Sequence, residues 1–248
     1  QLDKTKVVAV ALATSSFVKA ADLVGFHHRA RDLIQTEGLG VDVVLSDASG
    51  QQIVNTAVPI GDPLPRHGNP GQVLQMFKTG QPIVSDVFTG GATGRPRVSV
   101  EVPVFADGKV AYALGVNIDP QELGEVLRQQ NLPTTWISSI SDRTGTIAAR
   151  SSQAEKFVGQ KVNPDILRRL PSELEAAFES VTKEGFPALI VFSRSPVTGW
   201  AVAIAIPLDA LQAELKRNLA LLGIGAALLF AASGWFARIW TTIDGEHV

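Results

Sequence analysis

The residues that could do chemistry in this sequence are few and widely spaced. Four histidines are present, His27, His28, His67 and His247, and there is no cysteine. Because His27 and His28 are adjacent, on a helix their side chains point about 100° apart and are poorly placed to share one metal ion. The sequence contains no H-E-x-x-H zinc motif, no G-x-S-x-G turn and no Gly-rich phosphate loop with a lysine. We therefore expect no catalytic site, no metal and no cofactor, and we infer a role in recognition.

The overall charge argues against nucleic acid as the partner. The 248 residues include 22 Lys and Arg against 24 Asp and Glu, which gives a formal net charge of −2. Nucleic-acid-binding domains instead carry a basic face that neutralises phosphates. The lack of cysteine also excludes a disulfide framework and a thiolate zinc site.

An uncharged segment near the end of the chain is long enough to cross a membrane. Residues 219–237 read LALLGIGAALLFAASGWFA, with no charge and with Ser233 as the single polar side chain. A bilayer core needs about 20 mostly apolar residues in a helix. We therefore predict that 211–240 enters and spans a membrane and that 241–248 begins a cytoplasmic segment. The alternative is a buried central helix of a globular domain.

The first 40 residues are typical of one long helix. Apolar and small residues follow a spacing of three or four at Val7, Val10, Thr14, Phe17, Ala21, Val24 and His28. No proline interrupts this pattern, and Gly38 and Gly40 supply a stop signal. We predict a continuous N-terminal spine helix within 1–40, with His27 and His28 partly exposed. The alternative is two shorter helices broken near Gly25.

Two stretches with the same order of elements follow, at 41–130 and 131–210, called here the first and second modules. The strands predicted in the first are 41–47, 51–56, 83–88, 97–105 and 110–118, with helices at 72–78 and from 120. Those predicted in the second are 136–142, 146–150, 188–194 and 200–206, with a helix-rich stretch at 163–182. The turn Ser46–Gly50 matches Ser141–Gly145 as S-D-x-x-G, and Asp119 matches Asp209 at a similar offset. Matched landmarks in the same order indicate a tandem repeat of one unit.

The combined pattern resembles a known sensor family. The stretches that carry the resemblance are VVLSDASGQQIVNT, QPIVSDVFTG, PRVSVEVPVFADGKVAYALGVNID, ISSISDRTGTIAARS and FSRSPVTGWAVAIAIPLDAL. They are similar to the double Cache (dCache) sensor domains of bacterial sensor histidine kinases, over about 1–240. The resemblance implies an α+β fold with a long N-terminal helix, two tandem PAS-like antiparallel-sheet modules and a C-terminal transmembrane helix. The first module would be membrane-distal and the second membrane-proximal.

The resemblance also implies a function. We expect the extracytoplasmic, ligand-binding region of a two-component sensor histidine kinase that forms a homodimer. The kinase would lie in the bacterial cytoplasmic (inner) membrane, with its sensor region in the periplasm. Because Gln1 is not Met and the sequence ends just past the predicted span, we expect a fragment, with kinase activity confined to a C-terminal region outside it. The alternatives are the sensor region of a chemoreceptor or of a diguanylate cyclase, or a membrane-anchored binding module without an output domain.

In the family, the ligand usually lies in the first module, against the sheet and under its loops. That location corresponds here to Asp86, Phe88, Arg95, Arg97, Tyr112, Asn117 and Asp119, with Arg66 and His67 as further candidates. An arginine there could hold a small carboxylate through a two-pronged, charge-assisted pair. The alternative is a solvated position for Arg95 and Arg97 and a helix-cap role for Asp119.

The amino-acid-binding branch of the family supplies a more specific comparison. That branch carries an Arg-x-Trp pair, an aromatic residue before the long hairpin and an aspartate in the last strand. Phe88 stands at the aromatic place and Asn117 at the aspartate place, and the first module has no Arg-x-Trp. This departure counts against an α-amino acid. It leaves a small carboxylate, another neutral or anionic solute, or a protein partner as alternatives.

Overall fold

The structure, a computed structural model, describes residues 2–19, 22–38, 40–213 and 219–224. Helical segments come first, and two separate antiparallel sheets follow them in chain order. The N-terminal helices are α1 (Leu2–Ala13), α2 (Ser16–Lys19) and α3 (Leu23–Glu37). An α+β architecture with an N-terminal helical segment and two antiparallel sheets is therefore confirmed.

The prediction of one continuous spine helix was wrong, because the first helix ends at Ala13 and the next begins at Ser16. There the Thr14 hydroxyl donates to the carbonyl oxygens of Val10 and Ala11, at 3.0 and 3.2 Å. Such side-chain bonds compete with continuation of the helix. A new helix starts where the Asp22 carboxylate accepts from the backbone N–H of Gly25, at 2.9 Å, as an N-cap. Gly25 therefore lies inside α3 and does not mark the break.

The predicted apolar stripe was also wrong, because α1 and α3 each bury a different side from the one that the spacing indicated. Val7 and Val24 are 69% and 52% exposed. The side chains that pack into the core are instead Val8, Ala9 and Leu12 of α1 and Phe26, Ala30 and Ile34 of α3. His27 is buried as well, contrary to expectation, and its Nε2 lies 3.3 Å from the carbonyl oxygen of Val58.

The first sheet has six strands. They are β1 (Asp42–Ser46), β2 (Gln52–Asn55), β3 (Ile83–Val84), β4 (Phe88–Thr89), β5 (Pro96–Ala106) and β6 (Lys109–Ile118). Their order is β2-β1-β6-β5-β3, and β4 pairs with β5. The strand predicted at 83–88 is thus two short pieces, while the long β5–β6 hairpin is confirmed. Helix α4 (Pro70–Thr79) lies between β2 and β3, and α5 (Pro120–Arg128) follows β6.

The two faces of this sheet differ in chemistry. One face carries most of the valines and leucines of β1, β5 and β6, and its core residues Val43, Leu45, Val102, Val104, Leu114 and Val116 pack against α1 and α3. On the other face, the pairing register sets Asp42 opposite Asn117 and Asn117 opposite Ser99. One row further along, Val44, Gly115 and Glu101 are matched in the same way. Since directly opposed residues share a face, this second face is largely polar.

The second sheet has five strands and its own apolar core. They are β7 (Ile137–Ser141), β8 (Ile147–Arg150), β9 (Glu175–Val181), β10 (Pro187–Arg194) and β11 (Ala201–Pro207), in the order β8-β7-β11-β10-β9. Two short helices, α6 (Ala154–Phe157) and α7 (Pro164–Arg169), follow β8. The helix-rich prediction for 163–182 was wrong beyond α7, because β9 pairs with β10 over its full length. Its sequence EAAFESV favours helix locally, and the tertiary pairing overrides that preference.

The predicted segment 211–240 falls mostly outside the described residues, which include 211–213 and 219–224 of it as helix. Within the part of the chain that the structure describes, no helix combines the length and the hydropathy that a membrane span requires.

Candidate functional site

The polar face of the first sheet is buried beneath two loops. Asp42, Arg97, Ser99, Glu101 and Asn117 are each at most 7% exposed. Burying polar and charged groups costs free energy unless hydrogen bonds or opposite charges compensate them. The partners that these five side chains have, and those they lack, therefore indicate what the site can bind.

Two carboxylates pair with the guanidinium group of Arg97, and an amide donates to one of these carboxylates. Asn117 Nδ2 donates to Asp42 Oδ1 at 2.5 Å, and Arg97 Nη1 donates to Asp119 Oδ2 at 3.3 Å. Arg97 Nε lies 3.9 Å from Asp42 Oδ2, which is an ion pair and not a hydrogen bond. Burial raises the pKa of Asp42, and the hydrogen bond from Asn117 and the charge of Arg97 partly oppose that rise. Among the described residues, Arg97 Nε and Asn117 Oδ1 have no hydrogen-bond partner.

A second buried group lies one row along the sheet. His67 Nδ1 accepts from the backbone N–H of Asn69 at 3.0 Å, so a neutral His67 ring carries its proton on Nε2. That Nε2 lies 3.4 Å from Glu101 Oε1, which also accepts from Ser99 Oγ at 3.1 Å. Burial raises the pKa of Glu101 to about 7, while the Ser99 bond acts in the opposite direction. Burial also lowers the pKa of His67.

Some of these side chains line a cavity of about 10 Å³. Its lining includes Asp42, Val44, Gln52, Asn55, His67, Phe88, Arg97 and Asn117, together with the loop backbone around Gly68 and 90–93. This volume is about what one water molecule occupies. A larger ligand therefore enters only when the covering loops move outward.

The covering loops are held in close contact with each other. A Cβ atom on Gly68 would lie 2.2 Å from the carbonyl oxygen of Thr89, and one on Gly91 would lie 2.7 Å from that of Arg66. The rings of His67 and Phe88 stack with their centroids 5.6 Å apart. Glycine is therefore required where the two loops cross above the cavity.

Three of the seven residues predicted for the site line the cavity, namely Phe88, Arg97 and Asn117, and so does the further candidate His67. Asp119 contacts Arg97 and also caps α5, accepting from the backbone N–H of Gln121 at 2.9 Å. The other candidates lie elsewhere.

Arg95 is exposed, and Arg66 is exposed and donates to the carbonyl oxygen of Ser49. Tyr112 packs against the helical core on the opposite face of the sheet. Sequence reasoning missed Asp42, Gln52 and Asn55, which also line the cavity. In the sequence, Asp42 could have been noticed as a charged residue at the start of the mostly apolar strand DVVLS. The structure pairs it with Asn117.

Asp86, the remaining candidate, joins the two modules. Arg143 Nε donates to Asp86 Oδ1 at 2.7 Å, and Arg143 Nη2 donates to the carbonyl oxygen of Val84 at 2.7 Å. Asp142 Oδ2 accepts from the backbone N–H of Val87 at 2.9 Å. Burial raises the pKa of Asp86, and the hydrogen bond and charge of Arg143 oppose that rise. The turn of the second module that contains Asp142 and Arg143 is therefore hydrogen-bonded to the segment that leads into Phe88.

Comparison with known proteins identifies the fold. No family model matches the sequence, and no curated protein matches it. Solved structures that resemble it include the extracellular domain of a protein assigned as a histidine kinase, at 12% identity and a TM-score of 0.67 over 87% of this chain and 89% of that one.

Two further similar structures come from named bacteria. The sensor domain of the V. cholerae histidine kinase DctB is 12% identical, with a TM-score of 0.56 over 81% of this chain and 84% of that one. The ligand-binding domain of the Pseudomonas fluorescens chemoreceptor CtaA, in complex with L-isoleucine, is 12% identical, with a TM-score of 0.60 over 86% and 87%. The chain therefore has the fold of extracellular sensor domains of histidine kinases and chemoreceptors, consistent with the dCache resemblance.

Proposed function

We propose that this chain is the extracytoplasmic sensing region of a membrane-bound, two-component histidine kinase, and that it binds a small molecule in its first module. The observation that carries the proposal is the buried polar face around Asp42, Arg97 and Asn117, which encloses a cavity and keeps unused hydrogen-bonding atoms. Buried polar groups are normally satisfied, so such atoms are candidates for contact with a ligand. The shared fold of extracellular sensor domains supports the same function.

The charges around the cavity favour a ligand that carries an ammonium group. The guanidinium of Arg97 already faces two carboxylates, those of Asp42 and Asp119. A simple carboxylate ligand would have to compete with both, whereas an ammonium group could approach Asp42 Oδ2 and the unpartnered Asn117 Oδ1. Asp42 thereby supplies the acidic group that the sequence lacks at position 117. We propose a small amine or amino acid, and a small carboxylate becomes the comparison compound.

Binding at the cavity has a direct route to the second module. Phe88 lies over the cavity, and the segment just before it is held by Arg143 and Asp142. A ligand larger than one water molecule displaces the Phe88 loop and so pulls on those contacts. We propose that this movement is the signal and that the second module passes it to the predicted span at 211–240. On this proposal the span lies in the bacterial inner membrane, and two copies of the chain associate.

A titration of the full chain in detergent micelles tests the proposed site. Small amines, amino acids and carboxylates are screened by thermal shift, since a ligand at about 100 times its Kd adds about 2.7 kcal/mol to the free energy of unfolding. Each hit is then measured with Asp42→Asn, which keeps the shape and removes the charge. Losing a hydrogen bond to a charged group weakens binding by about 10- to 100-fold.

Asp107→Asn is the matched control, because Asp107 is exposed in the turn of the same β5–β6 hairpin and its substitution changes the net charge equally. It should leave the affinity unchanged. Equal weakening by both substitutions, or no hit among all compounds, would contradict the proposed site.

A further inference from the structure

A buried arginine in the second module is neutralised by a carboxylate from a surface turn. Arg150 Nη1 and Nη2 donate to the two carboxylate oxygens of Glu184, at 2.5 and 3.0 Å, in a two-pronged arrangement. The side chain of Arg150 is 5% exposed and that of Glu184 is 13% exposed. Glu184 belongs to the β9–β10 turn, where the Gly185 N–H donates to the carbonyl oxygen of Thr182. The carboxylate therefore approaches Arg150 from a turn at the protein surface.

A cavity adjoins this ion pair. It has a volume of about 40 Å³, and its polar lining residues are Ser139, Arg150, Asn163, Thr182 and Lys183. The rest of the lining is mostly aliphatic: Ile137, Ile147, Val162, Ile166, Ile190, Ala203 and Ala205. This volume is enough for about three water molecules. The cavity thus combines a fork-shaped cationic donor with a short apolar pocket.

Positive charge exceeds negative charge around Arg150. The guanidinium carbon of Arg150 lies 4.5 Å from the centroid of the Phe157 ring. The ammonium groups of Lys156 and Lys183 lie 5.0 and 5.4 Å from the same centroid. Three cationic groups therefore lie near one aromatic ring, and Glu184 is the carboxylate that pairs with Arg150. This charge pattern suits a second carboxylate.

We propose that the second module holds a site for a short aliphatic monocarboxylate, in which Glu184 occupies the place of the ligand carboxylate until a ligand displaces it. The ligand carboxylate would take over the fork of Arg150, and an apolar tail of roughly two or three carbon atoms would fill the cavity. Propionate has this shape. Displaced Glu184 would carry the β9–β10 turn with it toward solvent. This site is separate from the one proposed in the first module and does not depend on it.

Calorimetric titration of sodium propionate into the full chain in detergent micelles tests this site. Glu184→Gln removes the competing charge and keeps the size of the side chain, so we expect it to tighten propionate binding by about tenfold. Glu155→Gln is the matched control, because Glu155 is an exposed carboxylate on neighbouring α6 and its loss changes the net charge equally. It should leave the affinity unchanged. Adding Arg150→Lys to Glu184→Gln keeps the positive charge at position 150 but removes the two-pronged donor. This double variant should therefore lose the gain in propionate affinity.

Three results would overturn the proposal. The first is equal propionate affinity for the unmodified chain and Glu184→Gln, provided that both melt cooperatively. The second is equal tightening by Glu184→Gln and Glu155→Gln, which indicates a general charge effect. The third is equal binding of propionamide, which has the same shape without the charge. If the Arg150→Lys variant does not fold, the comparison of Glu184→Gln with Glu155→Gln decides alone.

Discussion

Asn117 donates a hydrogen bond to Asp42 at 2.5 Å across the β1–β6 pair, although the two residues are 75 positions apart in the sequence. Both side chains are buried, and they come from the first and last long strands of the same sheet. The buried carboxylate of Asp42 therefore depends on a donor that only the folded sheet provides.

Removing that donor should destabilise the chain. Asn117→Ala leaves Asp42 without its hydrogen bond, and we expect a loss of about 1–3 kcal/mol in the free energy of unfolding. Asn117→Asp sets two carboxylates against each other, which raises the pKa of the pair. The loss in the free energy of unfolding caused by Asn117→Asp should therefore be larger at pH 7.5 than at pH 5. Urea unfolding at both pH values measures this, and equal deficits for Asn117→Asp at the two pH values would show that the carboxylates do not interact.

The stability of the chain should fall with rising pH because of Glu101. Its pKa is raised to about 7 in the folded chain, against an ordinary value of 4.5. The folded state therefore holds the proton more tightly, so the contribution of Glu101 is fully present below about pH 4.5 and is lost as the pH rises through 7. The full loss is about 3 kcal/mol.

Glu101→Gln isolates this effect from that of His67. The pKa of His67 is lowered by burial, so its own contribution acts in the opposite direction, with stability lost as the pH falls. The unmodified chain and Glu101→Gln both keep His67. The difference between their free energies of unfolding, compared at pH 5 and pH 8, therefore reports the titration of Glu101. A difference that does not change across this range would rule out a titrating Glu101.

Loss of the contact between modules should loosen the segment before Phe88 without unfolding the chain. Arg143→Gln removes the ion pair with Asp86 and the bond to Val84, and the pair is 39% and 20% exposed. Such a partly exposed pair contributes at most about 1 kcal/mol to global stability. Hydrogen exchange should therefore become faster at 84–88 with little change in melting temperature.

A matched control for that experiment is Arg128→Gln, which loses a more exposed ion pair with Glu125 on α5. It should leave exchange at 84–88 unchanged. Slower or unaltered exchange in Arg143→Gln would mean that Arg143 does not hold the segment.

The crossing of the two loops above the cavity should tolerate no side chain. Gly68→Ala places a Cβ 2.2 Å from the Thr89 carbonyl oxygen, and the resulting strain should cost about 1–3 kcal/mol. Gly71→Ala is the control, because its Cβ meets nothing nearer than 3.8 Å and it lies inside α4. That substitution should be neutral or stabilising by up to about 1 kcal/mol. Chemical denaturation compares the two, and similar effects would mean that the loop above Gly68 is free to shift.

The sequence predicted those elements whose causes are local. The β5–β6 hairpin follows from two alternating apolar runs joined by Asp107 and Gly108, and α5 follows from the Asp119 cap before Pro120. In contrast, β9 has the composition of a helix and becomes a strand because it pairs with β10. The helical break after Ala13 is likewise not revealed by the spacing of apolar residues, and the Thr14 hydroxyl there donates to the carbonyl oxygens of Val10 and Ala11.

The candidate site was half predictable for the same reason. Phe88, Arg97 and Asn117 lie in or beside the hairpin whose register could be read from the sequence. Asp42 and His67 reach the cavity through the pairing of β1 with β6 and through a loop, and both depend on contacts between distant parts of the chain. Asp86 was placed near the ligand by the family resemblance, whereas its carboxylate pairs with Arg143 of the second module.

The small volume of the first cavity bears on the concentration at which a sensor responds. If the open form is rare, the measured Kd equals the intrinsic Kd divided by the open fraction. Each 1.4 kcal/mol needed for opening thus raises the detection threshold by about tenfold. The crossing at Gly68 and Thr89 contributes to that opening cost. Substitutions in these loops could therefore tune the threshold while every group that touches the ligand stays the same.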